Sequence, residues 1–366
     1  MKFSILKENI VEELQLLQGI VEKRNTMPIL ANILMEVDAN DIELTGTDLE
    51  VGLKARIEAP AEKPGSITIP GKKVFEIVKS LRDGEAVTFE TGKEQTLRIS
   101  SGPSEFKVHC LPREDYPQVP EPKFAKNIVL PLDKVQEMID GVYYAITQEQ
   151  RYYLNGAQMT LKNKSMELVS TDGHRLAYTA VALDTLRPAA PISVIIAKKT
   201  LGELRKLASE VVEFDLDESN LFFKVKNRTL ISRIIESKFP NYEAVLPKEN
   251  PHALVVSRPD ICDAIRRVSL LSSERSRGIK FSLTKNKLRL FSSNPELGEA
   301  RDELDVDYKG QDLEIGFNAQ YLLDFLTTVA AESVRFELKD ENSAALLRPE
   351  AKEGMKYLYV LMPMKI

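Results

Sequence analysis

The sequence predicts an α+β protein of three repeated domains, each with two helices packed on antiparallel sheets. Three observations carry this reading. A chain of 366 residues is too long for one ordinary core and suits two or three domains of about 100–200 residues. A strand–helix–turn–strand passage recurs as "TIPGKKVFEIVKSLRDGEAVTFE" from Thr68, "VIIAKKTLGELRKLASEVVEFDL" from Val194 and "EIGFNAQYLLDFLTTVAAESVRFEL" from Glu314. The units also end alike, with "CLP" at Pro112, "KFP" at Pro240 and "LMP" at Pro363, at intervals of 128 and 123 residues. The expected domains are 1–120, 127–247 and 252–366.

Each element follows from its own pattern. The first helix of each unit carries an apolar stripe at helical spacing: Ile10, Leu14 and Leu17; Val135, Ile139 and Val142; Ile261, Ile265 and Val268. In "PLDK" and "RPDI" an acid falls in the first turn, where free backbone N–H groups favour negative charge. Alternating strands follow, through Ile42 and Leu44, then Leu49, Val51 and Leu53, and in the third unit through Leu288 and Leu290, then Leu304 and Val306. In the second helix Phe75, Val78 and Leu81 match Leu201, Leu204 and Leu207. The stretches "PREDYPQVPEP" and "PNYEAVLPKENP" read as linkers, because proline stiffens an extended connection and cannot join a central strand.

Composition narrows the function. Hydrophobic content of 43% and charged content of 29% fit a soluble globular protein, and no apolar run approaches the roughly 20 residues of a membrane span. The start, "MKFSILKENIVEEL", brings in acids too early for a secretory signal, so a cytoplasmic location and no membrane role are expected. The only cysteines, Cys110 and Cys262, give no disulfide framework and no four-thiolate metal site, and they read as small buried hydrophobes. A net charge of -5 argues against a surface that coats nucleic acid everywhere. Two stretches depart from it: Lys72–Arg82 and Lys198–Lys206 each carry four basic residues against one acid. They fit one face meeting phosphates while the remainder repels them, or two ordinary solvated helix faces.

"TDGHRL", Thr171–Leu176, places an acid, an imidazole and a guanidinium together in a chain with three histidines. A metal- or His-dependent hydrolase would be built on Asp172, His174 and His109, but no nucleophile or third oriented group accompanies them. The alternative is a hairpin turn between a strand at Met166–Ser170 and one through Leu176, Tyr178 and Ala180. Asp172-Gly173 would supply the turn chemistry, and "TGTDLE" at Thr45 and "SSNPEL" at Ser292 hold the same place without histidine. No phosphate-cradling "GxxxxGK" loop is present, so no ATP-driven step is assigned to this chain. No cofactor is expected.

Three helix pairs also suggest a closed assembly. If their polar faces line a hole around a duplex of roughly 20 Å with a layer of water, the hole is about 35 Å across and its rim about 110 Å long. Helices about 8–10 Å apart supply roughly 18 Å per pair, so about six pairs close the circle. One chain has three, and two chains meeting head to tail have six. A monomeric three-domain scaffold that binds proteins but no DNA is the alternative.

Five strings in order, "TGTDLE", "RYYLNG", "TDGHRL", "FPNY" and "VLMPMKI", make the chain resemble the bacterial sliding clamps, the beta subunits of DNA polymerase III, from "MKF" to "MPMKI". The resemblance implies the DNA clamp fold, closing as a dimer into a six-domain ring around duplex DNA without reading its sequence. It implies no catalytic activity, and as partners a second copy, the DNA polymerase III catalytic subunit, the clamp-loader complex, and other polymerases and repair proteins that dock through short linear peptides. By position, the DNA-facing residues are then Arg24, Lys72, Lys73, Gln148, Arg151, Tyr152, Tyr153, Lys198 and Lys199. The peptide pocket is Leu154, Thr171, Gly173, His174, Arg175, Leu176, Pro240, Val245, Asn318, Tyr321, Val360, Met362, Pro363 and Met364. The dimer junction is Phe106 and Val108 against Leu270 and Leu271. Ala244 and Ser276 stand where related clamps carry arginine and an aromatic, which puts the polar and aromatic edges of the pocket in question.

Overall fold

The computed structural model describes residues 1–21, 27–125, 128–147, 154–350 and 354–365. One order of elements occurs three times. The first copy runs β1 (Lys2–Leu6), α1 (Lys7–Ile20), β2 (Asn32–Val37), β3 (Asp41–Thr47), β4 (Val51–Glu58), a short extra β5 (Ala61–Lys63), β6 (Gly65–Pro70), α2 (Gly71–Ser80), β7 (Ala86–Thr91), β8 (Thr96–Ser101) and β9 (Ser104–His109). The second runs β10 (Ile128–Pro131), α3 (Leu132–Tyr143), β11 (Gly156–Lys162), β12 (Ser165–Thr171), β13 (Arg175–Ala182), β14 (Ile192–Ala197), α4 (Lys198–Leu204), β15 (Val211–Leu216), β16 (Asn220–Val225) and β17 (Arg228–Arg233). The third runs β18 (His252–Ser257), α5 (Arg258–Ser269), β19 (Gly278–Thr284), β20 (Lys287–Asn294), β21 (Gly298–Asp305), β22 (Leu313–Asn318), α6 (Ala319–Thr328), β23 (Ser333–Leu338), β24 (Ala345–Pro349) and β25 (Lys356–Leu361).

The compact units do not follow these copies. Residues 1–133 with 199–234 form one unit, and 134–198 with 235–366 form the other. The first holds a five-stranded sheet, β5-β1-β7-β8-β9, and an eight-stranded sheet, β10-β15-β16-β17-β4-β3-β2-β6. The second holds an eight-stranded sheet, β14-β11-β12-β13-β25-β24-β23-β18, and a four-stranded sheet, β21-β20-β19-β22. All the strand pairs are antiparallel, and each eight-stranded sheet is made of four strands from one copy and four from the next. The seam is β17 on β4 in the first unit, with Ile231 opposite Gly52, and β25 on β13 in the second, with Val360 opposite Leu176.

The helical stripes lie inward as the sequence predicts. Ile10, Leu14, Leu17, Val135, Ile139, Val142, Ile261, Ile265 and Val268 are all buried, each stabilising the fold by about 1.5–3 kcal/mol relative to exposure. Asp133 and Asp260 occupy the first turns of α3 and α5. In the second unit Ser170 Oγ donates to the carbonyl of Val142 and Ser292 Oγ to that of Val268, both at 2.6 Å, tying strand to helix. In the first unit the same place is Gly46, where a Cβ would lie 3.0 Å from Leu17 Cδ2, so helix and strand meet more closely.

Three local readings differ from expectation. Leu49 is not a strand residue: it stands at the β3–β4 turn, 46% exposed, with φ at 77°. The turn's own hydrogen bonds hold it in a left-handed conformation that costs a branched residue about 1 kcal/mol or more. Leu207 lies beyond the end of α4, yet is buried. The first connector is anchored, because the buried Tyr116 donates from its hydroxyl to the Thr45 carbonyl at 3.0 Å.

An ion pair locks the first unit. Arg228 on β17 reaches Glu13 of α1 through Nε (2.8 Å to Oε2) and Nη2 (2.8 Å to Oε1), and its Nη2 also meets Glu12 at 2.7 Å. Glu13 and Arg228 are both buried. Removing one member strands the other's charge, so Arg228→Ala is expected to lower unfolding free energy by about 3 kcal/mol in chemical denaturation. A loss below about 1 kcal/mol would show that water reaches Glu13.

Candidate functional site

"TDGHRL" is a turn built by its own side chains. Thr171 Oγ1 donates to the Arg175 carbonyl at 2.6 Å and accepts from Gly173 N–H at 3.1 Å. Asp172 Oδ1 accepts from the N–H groups of His174 (2.9 Å) and Arg175 (3.1 Å). Gly173, with φ at 91°, takes the left-handed position without strain. "TGTDLE" folds identically: Thr47 Oγ1 donates to the Val51 carbonyl, and Asp48 Oδ1 accepts from the N–H groups of Glu50 and Val51. A carboxylate filled by backbone donors is poorly placed to act as a base. Among the described residues no group of three or more metal-ligating side chains comes together.

Arg175 is the electrostatic centre of the region. Its guanidinium donates through Nε to Asp172 (2.9 Å), through Nη1 to Asp324 of α6 (2.6 Å) and through Nη2 to the Tyr144 carbonyl (2.7 Å). It lies 4.2 Å from the ring centroid of Tyr321 and 5.4 Å from that of Tyr144. Burial works against its charge, but Tyr359, Asp324 and Asp172 outweigh burial and hold its pKa above the ordinary value. Arg175 thereby fixes β13, α3 and α6 around one spot.

Beside it opens a cavity of about 230 Å³ lined by Leu154, Thr171, Gly173, Arg175, Leu176, Pro240, Asn241, Tyr242, Val245, Val360 and Met362. Nine of these are predicted pocket residues. The floor is the core cluster of Leu154, Leu176 and Val360, continued by Val169, Tyr178 and Phe239. Val245 and Met362 are about half exposed at the mouth, a deformable apolar rim over a packed floor. The other five predicted residues, His174, Asn318, Tyr321, Pro363 and Met364, are not among those that line it. His174 is exposed with its ring 6.5 Å from that of Tyr321, which in turn lies against Arg175. Asn318 caps α6 by accepting from Gln320 and Tyr321 N–H, and Met364 N–H donates to the Gly316 carbonyl of β22 at 2.9 Å.

Asn241 and Tyr242 were missed by the sequence reading. The aromatic Tyr242 close behind Phe239 in "FPNY" was the available signal. Tyr242 packs 5.8 Å from Tyr178, ring to ring, and donates from its hydroxyl to Glu167 at 3.3 Å. Ala244 ends the short turn at Tyr242–Ala244 and is exposed, while the Ser276 carbonyl accepts from the Asn318 amide.

Of the residues expected to face DNA, Arg24, Gln148, Arg151, Tyr152 and Tyr153 lie outside the described residues. Lys72 and Lys73 are exposed on α2, and both lie near Glu76, whose carboxyl is held below its usual range chiefly by the Lys73 hydrogen bond. Lys199 is committed to Asp48 and to the Ile20 carbonyl. Lys198 donates to the Ile146 carbonyl at 3.0 Å, and burial lowers its pKa. Phe106 and Val108 stand on β9, an outer strand of its sheet, with Val108 buried. Leu270 follows α5 and is 77% exposed, with Leu271 half-buried beside it.

Comparisons agree with this architecture. Family profiles for the DNA polymerase III beta subunit match in three parts: the N-terminal domain at residues 1–120, the central domain at 129–241 and the C-terminal domain at 243–365. The chain belongs to the DNA polymerase III beta subunit family. It is 38% identical to the beta sliding clamp of Pseudomonas putida and 37% identical to that of Pseudomonas aeruginosa, with full coverage of both chains in each case. Among solved structures, a Pseudomonas aeruginosa sliding clamp bound to griselimycin superposes with a TM-score of 0.94 at 36% identity, and a Caulobacter crescentus sliding clamp with a TM-score of 0.91 at 32%, again over 100% of both chains.

The pocket tyrosines make stability depend on pH. Burial first, then Glu167 and Glu243, push the Tyr178 hydroxyl up from 10.0 to about 12, and Tyr242 is raised chiefly by burial and by Glu167. The neutral form is favoured in the folded state, so their contribution is intact below pH 10 and is lost as pH rises through about 12. Denaturation midpoints measured from pH 9 to 12 should fall less steeply in Tyr178→Phe than in the unaltered chain; equal slopes would remove Tyr178 as the cause.

Proposed function

We propose that this chain is a non-catalytic sliding clamp: two copies close head to tail into a ring of six similar domains around duplex DNA. On this reading the domains are 1–120, 127–247 and 252–366. Each copy's apolar pocket receives short linear peptides from the DNA polymerase III catalytic subunit, the clamp loader, other polymerases and repair proteins. Such work places the chain in the cytoplasm.

The observation that carries the ring is the accounting of strand edges. In element order β9 corresponds to β17 and β25, and β21 corresponds to β4 and β13. Inside the chain β17 is paired with β4 and β25 with β13, whereas β9 and β21 are outer strands of their sheets. A second copy supplies the missing partner for each, which removes two open edges. Carrying the β4–β17 register over to this pair sets Lys107 opposite Glu299 of the second copy, and Glu105 opposite its Arg301. Opposite charges therefore face each other along the joint, next to Phe106, Val108, Leu270 and Leu271.

Support for DNA comes from the basic helix stretches in an otherwise acidic chain. Lys72 and Lys73 hold exposed amines for phosphates, with Arg24, Gln148, Arg151, Tyr152, Tyr153, Lys198 and Lys199 as the further proposed contacts. Weak, exchangeable phosphate contacts without base readout let a ring move along the duplex. Topology, not affinity, then does the holding.

Two experiments test this. Lys107→Glu should shift a particle of twice 41.2 kDa toward monomer in sedimentation, and adding Glu299→Lys to the same chain should restore the dimer; an unchanged dimer in the single variant would contradict the register. Once loaded, the clamp should stay on nicked circular DNA and run off when that DNA is linearised. Equal retention on both forms would overturn topological tethering.

A further inference from the structure

We propose that the first unit holds a second peptide groove, specific for an extended segment with an aliphatic anchor next to a carboxylate. The inference rests on reading the pocket at Leu176 and Val360 as a peptide site. Its twin is set by the repeat: Gly52 of β4 lies opposite Ile231 of β17 as Leu176 of β13 lies opposite Val360 of β25. The turn leading into β4 has the same threonine and aspartate hydrogen bonds as the turn leading into β13. The first connector, through Val119, borders the recess as the second connector borders the first pocket. Both cavities measure about 230 Å³.

The residues that differ define the occupant. Gly52 replaces Leu176, and a Cβ there would meet Val119 Cγ1 at 3.3 Å and Ile231 Cδ1 at 3.7 Å, so the glycine lets both aliphatic side chains close around the floor. Leu49, 46% exposed where the other turn has Gly173, adds an apolar lip. Such a recess takes one aliphatic side chain. Arg233 replaces Met362 at the mouth. Its backbone N–H is pinned to the Glu50 carbonyl at 2.8 Å, and its exposed guanidinium has no ion pair among the described residues. Glu50 takes the place of His174 and is likewise exposed. An arginine fixed at its backbone beside an apolar recess favours a carboxylate on the incoming chain, and Glu50 disfavours a second one. The same scaffold thus presents two grooves of different selectivity: an apolar rim at Met362, and a charged rim at Arg233.

Methyl NMR on the full chain labelled at isoleucine, leucine and valine separates the two sites, using the peptide acetyl-Ala-Leu-Val-Asp-amide as probe. The Ile231 and Val119 methyl signals should move saturably on titration. Arg233→Glu, at an exposed position, should weaken binding measured at those signals by about tenfold, leaving the response of Val360 and Val245 as before. Still Ile231 and Val119 signals with responding Val360 and Val245, or undiminished binding in Arg233→Glu, would overturn the second groove and leave the first pocket standing. Silence at all four residues would overturn both.

Discussion

A strand edge leaves a row of N–H and C=O groups that must find water or another strand, and the way this chain disposes of its edges governs everything larger. Within each unit the last strand of one repeat completes the sheet of the previous one, β17 on β4 and β25 on β13, so eight-stranded sheets run across repeat boundaries. The apolar cavity beside Arg175 exists because of that seam: its floor pairs Leu176 from one repeat with Val360 from the next. The outermost strands β9 and β21 are left with the same unmet requirement, and the dimer proposed here is the same pairing made between chains.

Charged groups secure these seams after the backbone has set them. Arg228 with Glu13 does so in the first unit, and Arg175 with Asp172 and Asp324 in the second. Buried pairs of this kind add little net stability compared with apolar packing, but they penalise any arrangement that separates the partners. Arg228 joins β17 of the second repeat to α1 of the first, and Arg175 joins β13 of the second to α6 of the third. That role matters in a repeated fold, where strands from three similar repeats offer several wrong pairings.

The repeat was legible because its signal is spread over many residues. Nine stripe residues at helical spacing, and three matching strand–helix–strand passages, survive a misjudged position such as Leu49 or Leu207 without changing the outcome. Asp172 and His174 were legible only as a turn or a dyad, since the sequence does not say whether a carboxylate is already filled by backbone N–H groups. Tyr242 was passed over because a connector rich in proline gives no periodicity from which burial can be read, and Tyr116 shows the same limitation in the first connector.

By itself the sequence determined the α+β class, the threefold repetition, the inward helix faces and the absence of any apolar run long enough for a membrane span, because each depends on local patterns of apolar and polar residues. Tertiary structure decided that the compact units cut across the repeats, that Arg175 is spent on Asp172, Asp324 and Tyr144, and that Lys199 is committed to Asp48. These are pairings between residues from 3 to 151 positions apart, most of them far beyond a turn, and strand register with side-chain reach selects among partners that look alike along the chain.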